Sequence, residues 1–135
     1  MSAIWTMYSD GGARGNPGPA AIGVVIRQGK TVVAHISQTI GDATNNQAEY
    51  EAVLAGLRYL VKHHVTDVDA YLDSELVVEQ LRGGYKIKNK DLGRLWLQAQ
   101  SLIQRIGQVR FHHVPRAQNS VADGLVNRAL DDMGS

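Results

Sequence analysis

β-Branched and aromatic residues crowd three early runs, Ala3 to Ser9, Ala20 to Arg27 and Thr31 to Ile40, whereas later apolar positions return every three or four residues. The first pattern suits a pleated strand, the second a helix with one buried face. Gly and Pro fill the loop between the first two runs, and Gln28, Gly29 and Lys30 make a turn before the third. Three strands with short connections predict an antiparallel meander. Tyr50, Val53, Leu54, Leu57, Leu60 and Val61 then follow helical spacing, with Asn45 or Asn46 available as N-cap. A short strand over Val68 to Leu72 leads to Ser74, an N-cap for a helix over Glu75 to Leu81 that Gly83 and Gly84 stop. Leu92, Leu95, Trp96, Ala99, Leu102, Ile103 and Ile106 form the longest amphipathic stripe, closed by Gly107. Val109 to Val114 reads as a last strand, and Val121, Ala122, Leu125, Val126, Ala129 and Leu130 as a last helix. The order βββαβααβα predicts an α/β fold, a mixed sheet with helices packed on its faces. Residues 1–135 read as one domain without repeats or linkers, and Asp131 to Ser135 as a frayed tail.

Composition narrows the chemistry. With 135 residues, 44% of them hydrophobic, the chain can bury a core without crosslinks. The absence of cysteine excludes disulfides, thiolate zinc sites and a cysteine nucleophile together. Met1 to Ser9 lacks a basic stretch followed by an apolar run, and no segment nears the roughly 20 apolar residues that span a bilayer. A cytoplasmic protein with no membrane partner, and a monomer, is the expectation. The net charge of +1 announces no nucleic-acid partner, so any such partner must rest on local features.

Asp10 directly follows the first predicted strand and Asp73 the fourth. Either alone is an ordinary turn or cap residue, but two at equivalent positions change the weighing. Adjacent strands bring such ends together, and Glu49 in the first turn of the first helix and Asp123 near the start of the last can face the same point. Four converging carboxylates repel one another unless hard divalent cations sit between them. Oxygen ligands without His or Cys favour magnesium or manganese.

Four segments occur in order: Tyr8-Ser-Asp-Gly-Gly-Ala-Arg-Gly-Asn-Pro-Gly-Pro19, Thr44-Asn-Asn-Gln-Ala-Glu49, Leu72-Asp-Ser74 and Asn119-Ser-Val-Ala-Asp123. Together they resemble ribonuclease H of type 1 from end to end. The resemblance implies a five-stranded mixed sheet and an endoribonuclease that cuts the RNA strand of RNA–DNA hybrids, leaving 5′-phosphate and 3′-hydroxyl ends. It implies that Asp10, Glu49, Asp73 and Asp123 hold two Mg2+ ions, with Mn2+ able to substitute. It also implies that Asn16, Asn45 and Gln47 contact 2′-hydroxyls and the minor groove, the groups that tell RNA from DNA. Thr44 and Asn89 resemble a pocket for a phosphate of the DNA strand. Helix capping by Asn45 or Asn46 and turn formation by the loop glycines are the structural roles these residues carry in any case.

The chain departs from that family in three places. Where many bacterial members carry a long basic protrusion, it has only Arg82-Gly-Gly-Tyr-Lys-Ile-Lys-Asn-Lys90, so Lys86, Lys88 and Lys90 are the remaining candidates for phosphate contact. Where the family often has a loop His, the short Val114-Pro-Arg-Ala-Gln118 offers Arg116 as the assisting catalytic residue, with His113 as a rival inside the predicted last strand. Glu75 stands where relatives often have an amide that touches RNA. Compact members resembling this chain leave cutting of double-stranded RNA open as a side activity. Two other functions share the fold: a hybrid-binding module that has lost catalysis, and a DNA-directed polynucleotidyl transferase. Four intact acidic positions speak against the first, and the Asn16 and Thr44–Glu49 pattern against the second.

Overall fold

The computed structural model describes residues 4–84 and 86–133. Strands β1 (Trp5–Ala13), β2 (Gly18–Gln28), β3 (Thr31–Ala43), β4 (Asp67–Leu72) and β5 (Gln108–His113) form one sheet in the order β3-β2-β1-β4-β5. Helix α1 (Asn45–Lys62) follows β3, α2 (Glu75–Leu81) and α3 (Lys90–Ile106) separate β4 from β5, and α4 (Ser120–Met133) ends the described chain. The order βββαβααβα and the mixed sheet agree with the pattern in the sequence.

Both β1 and β3 outrun the apolar runs that announce them. The long β2 pairs with them along its length, joining Asp10 to Gly23, Ala13 to Ala20 and Gly18 to Ala43. Asp10 therefore lies inside a paired strand, not just beyond one as the sequence suggested. The cap of α1 is Thr44, neither Asn45 nor Asn46: its Oγ1 accepts from the Gln47 N–H at 3.1 Å. Gln47 Oε1 accepts in return from the Thr44 N–H at 2.8 Å, completing a capping box. The stretch read as a frayed tail is helical as far as Met133, and Arg14 pairs with Asp131 there. Within the short loop before the last helix, Arg116–Asn119 winds into a 3₁₀ turn.

Alternation along β2 separates two layers. Ile22, Val24 and Ile26 join Met7 in the main core against Tyr50, Val53, Leu54, Leu57 and Leu60 of α1, whereas Ala21 packs with Val126, Ala129 and Leu130 of α4. Helices thus cover both faces. Gly23 sets how closely α4 lies on the sheet, since a Cβ there would stand 2.2 Å from the Ala122 carbonyl oxygen. Gln80, buried at the end of α2, accepts from the Tyr50 hydroxyl at 2.6 Å, and its carbonyl accepts from Trp96 Nε1 at 3.0 Å, fastening α1, α2 and α3 together.

Candidate active site

Strands β1 and β4 run parallel with Tyr8 opposite Tyr71. Side chains alternate along a strand, so the residues two positions on emerge on one face, Asp10 from within β1 and Asp73 just past the end of β4. Ring contacts agree with that register: Tyr8 stacks on Tyr71 at 4.6 Å, and Tyr71 on His112 of β5 at 4.8 Å. Below the carboxylates, Asp69 is tied to Arg110 and His112, and Arg110 above all holds its carboxyl below the usual carboxylate range.

Glu49 comes from just past the first turn of α1, and its Oε1 accepts from the Gly11 N–H at 3.0 Å. That approach demands glycine, because a Cβ on Gly11 would stand 2.1 Å from the Ala48 carbonyl oxygen. Ligand atoms of Asp10, Glu49 and Asp73 all lie within 4.8 Å of one another. Asp123, in the first turn of α4, lines the same cleft of about 490 Å³ and is close enough to act on the Asp10 carboxyl. The tight group is thus three carboxylates, with the fourth at its margin.

Electrostatics follow from this crowding. Burial, with the charges of Asp73 and Asp123, pushes the Asp10 carboxyl up from 3.8 to about 6, although its contact with Glu49 opposes the rise. Glu49 is raised well above its ordinary value, by burial first and then by Asp10, against the opposing Gly11 N–H. Among the described residues no ion pair involves any of the four carboxylates. Glu49 Oε2 is buried without a hydrogen-bond partner. An orphaned oxygen beside two carboxylates, in an all-oxygen donor set, fits a hard dication.

The other sequence candidates divide. Asn45 and Arg116 line the same cleft. Asn16 and Asn45 interlock: Asn16 Oδ1 accepts from the Asn45 N–H at 3.0 Å, and Asn45 Oδ1 from the Ala13 N–H at 2.9 Å. Thr44 and Asn89 are helix caps, Asn89 Oδ1 accepting from the Leu92 N–H at 3.1 Å. Gln47 Nε2 donates to Asp91 at 3.4 Å, which sets the N-termini of α1 and α3 side by side. Thr44, Gln47, Asn89 and Asn16 stand outside the residues that line the acidic cleft. His113 is exposed at the end of β5, while His112 packs on Tyr71. Sequence reasoning passed over Arg14, Asn46 and Asn127 on the cleft wall, and also Asn119, which is buried against Asp73. Nothing in the local pattern Gln118-Asn119-Ser120 marks a buried residue.

The family model described as Reverse transcriptase-like matches residues 8–129. A crystal structure of RNase H1 from Halobacterium salinarum superimposes with a TM-score of 0.92 at 44% identity, over 96% of this chain and 98% of that one. The chain belongs to the type 1 ribonuclease H family. A further ribonuclease H1 structure, of LC11-RNase H1 in complex with an RNA/DNA hybrid, matches with a TM-score of 0.92 at 40% identity, over 97% of this chain and 99% of that one. Among curated sequences, a bifunctional protein of Mycobacterium tuberculosis is 47% identical over 125 residues, 91% of this chain and 34% of its own length. The chain therefore spans about a third of that relative's length.

Proposed function

We propose that this ribonuclease H domain hydrolyses the RNA strand of RNA–DNA hybrids, using two divalent ions held by Asp10, Glu49, Asp73 and Asp123. The observation that carries the proposal is the convergence of three carboxylates within 4.8 Å, two of them buried, with none of them in an ion pair among the described residues. Mg2+ suits the all-oxygen set, with Mn2+ able to replace it. Bound there, such ions supply activation of the attacking water and neutralisation of the leaving 3′ oxygen. The protein's own part is to keep the carboxylates crowded and poorly hydrated. The Asp10–Glu49 pair gives up protons when a dication is held, so loading is favoured as pH rises.

Substrate choice rests on the rim. Asn16 and Asn45 spend their side-chain carbonyls on backbone N–H groups, which leaves their NH2 groups as donors suited to 2′-hydroxyls and base edges. The paired N-termini of α1 and α3, capped by Thr44 and Asn89, form a positive end where a DNA-strand phosphate is stabilised. Arg116, exposed on the cleft wall, supplies the cation that assists release of product. The hybrid complex of LC11-RNase H1 supports this substrate class.

Labelled RNA–DNA hybrid, DNA duplex, RNA duplex and single strands incubated with Mg2+ test the reading. Cutting of hybrid RNA to 3′-hydroxyl ends is expected. Cutting of DNA alone would instead mark a polynucleotidyl transferase, and binding without cutting a hybrid-binding module.

A further inference from the structure

We infer that Asn119 is a positioning residue for the acidic cluster, its amide setting where Asp73 stands relative to Asp10 and Asp123. The inference rests on the reading of the cleft as a dication site. Asn119 closes the 3₁₀ turn that leads into α4 and is 1% exposed. Its Nδ2 donates to the Ser9 carbonyl at 2.9 Å and to Asp73 Oδ2 at 3.3 Å. Ser9 immediately precedes Asp10, and Asp123 follows Asn119 by four residues in the turn that continues as α4. One NH2 group therefore touches the backbone beside the first carboxylate and the third carboxylate itself, and it anchors the segment that delivers the fourth.

The chemistry of the two partners fixes the amide's orientation. A backbone carbonyl accepts only, and so does an ionised carboxylate, so the NH2 and not the oxygen must face them. The consequence is visible on the other side, where Asn119 Oδ1 is buried with no hydrogen-bond partner among the described residues. An unsatisfied buried oxygen is a cost, and one retained beside a carboxylate cluster calls for a compensating role. That role is orientation: holding one oxygen of Asp73 stops the carboxylate from rotating and leaves its other oxygen for a ligand. A neutral amide does this without cancelling charge. Lys or Arg in its place would neutralise Asp73 and compete with the dication.

Calorimetric titration of the substrate-free protein with Mn2+, beside steady-state hybrid cleavage, tests the inference. For Asn119→Ala, Mn2+ affinity is expected to fall by about 10–100-fold. Turnover should fall with it and recover in part at high Mn2+, while KM for hybrid stays within about twofold, since the residue does not touch the substrate. Asn119→Asp keeps the shape but replaces the donor by an acceptor, and should lose at least as much. A folded Asn119→Ala protein with unchanged Mn2+ affinity overturns the inference. Should that variant not fold, unchanged affinity in Asn119→Asp does the same, and failure of both to fold makes the residue a folding element and overturns it equally. Wild-type protein that neither binds Mn2+ nor cuts hybrid sinks the functional reading as well, so the two failures are told apart.

Discussion

Replacing Asp10 by Asn should stabilise the metal-free protein while abolishing cleavage. The Asp10 carboxyl is raised from 3.8 to about 6, chiefly by burial. Each unit corresponds to about 1.4 kcal/mol, so the ionised carboxylate costs the fold up to about 3 kcal/mol. The sign runs against the usual acid. A carboxyl whose folded value exceeds its unfolded value binds more protons when folded, so stability falls as pH rises between 3.8 and about 6. The cost is complete above that window and absent below it. Asn cannot ionise, and with an unfolding entropy of about 2.1 cal/mol/K per residue over the 135 residues, Asp10→Asn should melt roughly 10 °C higher at pH 7.5 in chelator. At pH 3, below the window, the two proteins should melt nearly together. Differential scanning calorimetry at both pH values measures the effect. Asp10→Asn melting at or below wild type at pH 7.5, or an equal gap at both pH values, would refute the account of a strained cluster.

Other perturbations reach the supporting structure and the rim. Gly11→Ala forces a Cβ against the Ala48 carbonyl at 2.1 Å and should cost about 3 kcal/mol or more in a urea titration; a loss under about 1 kcal/mol would mean that α1 shifts freely. Arg116→Ala should slow multiple-turnover cleavage of hybrid while His113→Ala leaves it unchanged; the reverse ranking would move product escort to the strand. Replacing Lys86, Lys88 and Lys90 together by Ala should flatten the log–log salt dependence of hybrid binding by about 2–3, and an unchanged slope would make these lysines plain surface.

How much of this was written in the sequence depends on which force decides each feature. The stripe from Leu92 to Ile106 reads directly, because burial of one helical face needs no partner to be named. The extension of β1 through Gly11 and Gly12 does not, because those residues have little strand preference and pair only where β2 runs alongside. Asp10 was therefore assigned to the wrong side of a strand end, although the structure does bring it together with Glu49 and Asp73. For the α1 cap, three polar residues stand in a row, and the backbone angles at Thr44 decide among them. The Thr44-x-x-Gln47 spacing was the available signal. The acidic cluster was legible as carboxylates at equivalent strand ends and as motifs in order, but its proximity arises from the parallel register of β1 and β4, which the sequence does not state. Asn119 was hidden for a different reason: its two acceptors lie 110 and 46 residues away in sequence.

The central claim is that Asp10, Glu49 and Asp73, with Asp123 at the margin, exist to hold divalent ions. Crystals grown with Mn2+ and measured at the manganese edge give the most direct test. Anomalous peaks between those side chains, lost in Asp10→Asn, are the expected result. A map without peaks there at saturating Mn2+, in protein that still cuts hybrid, would contradict it.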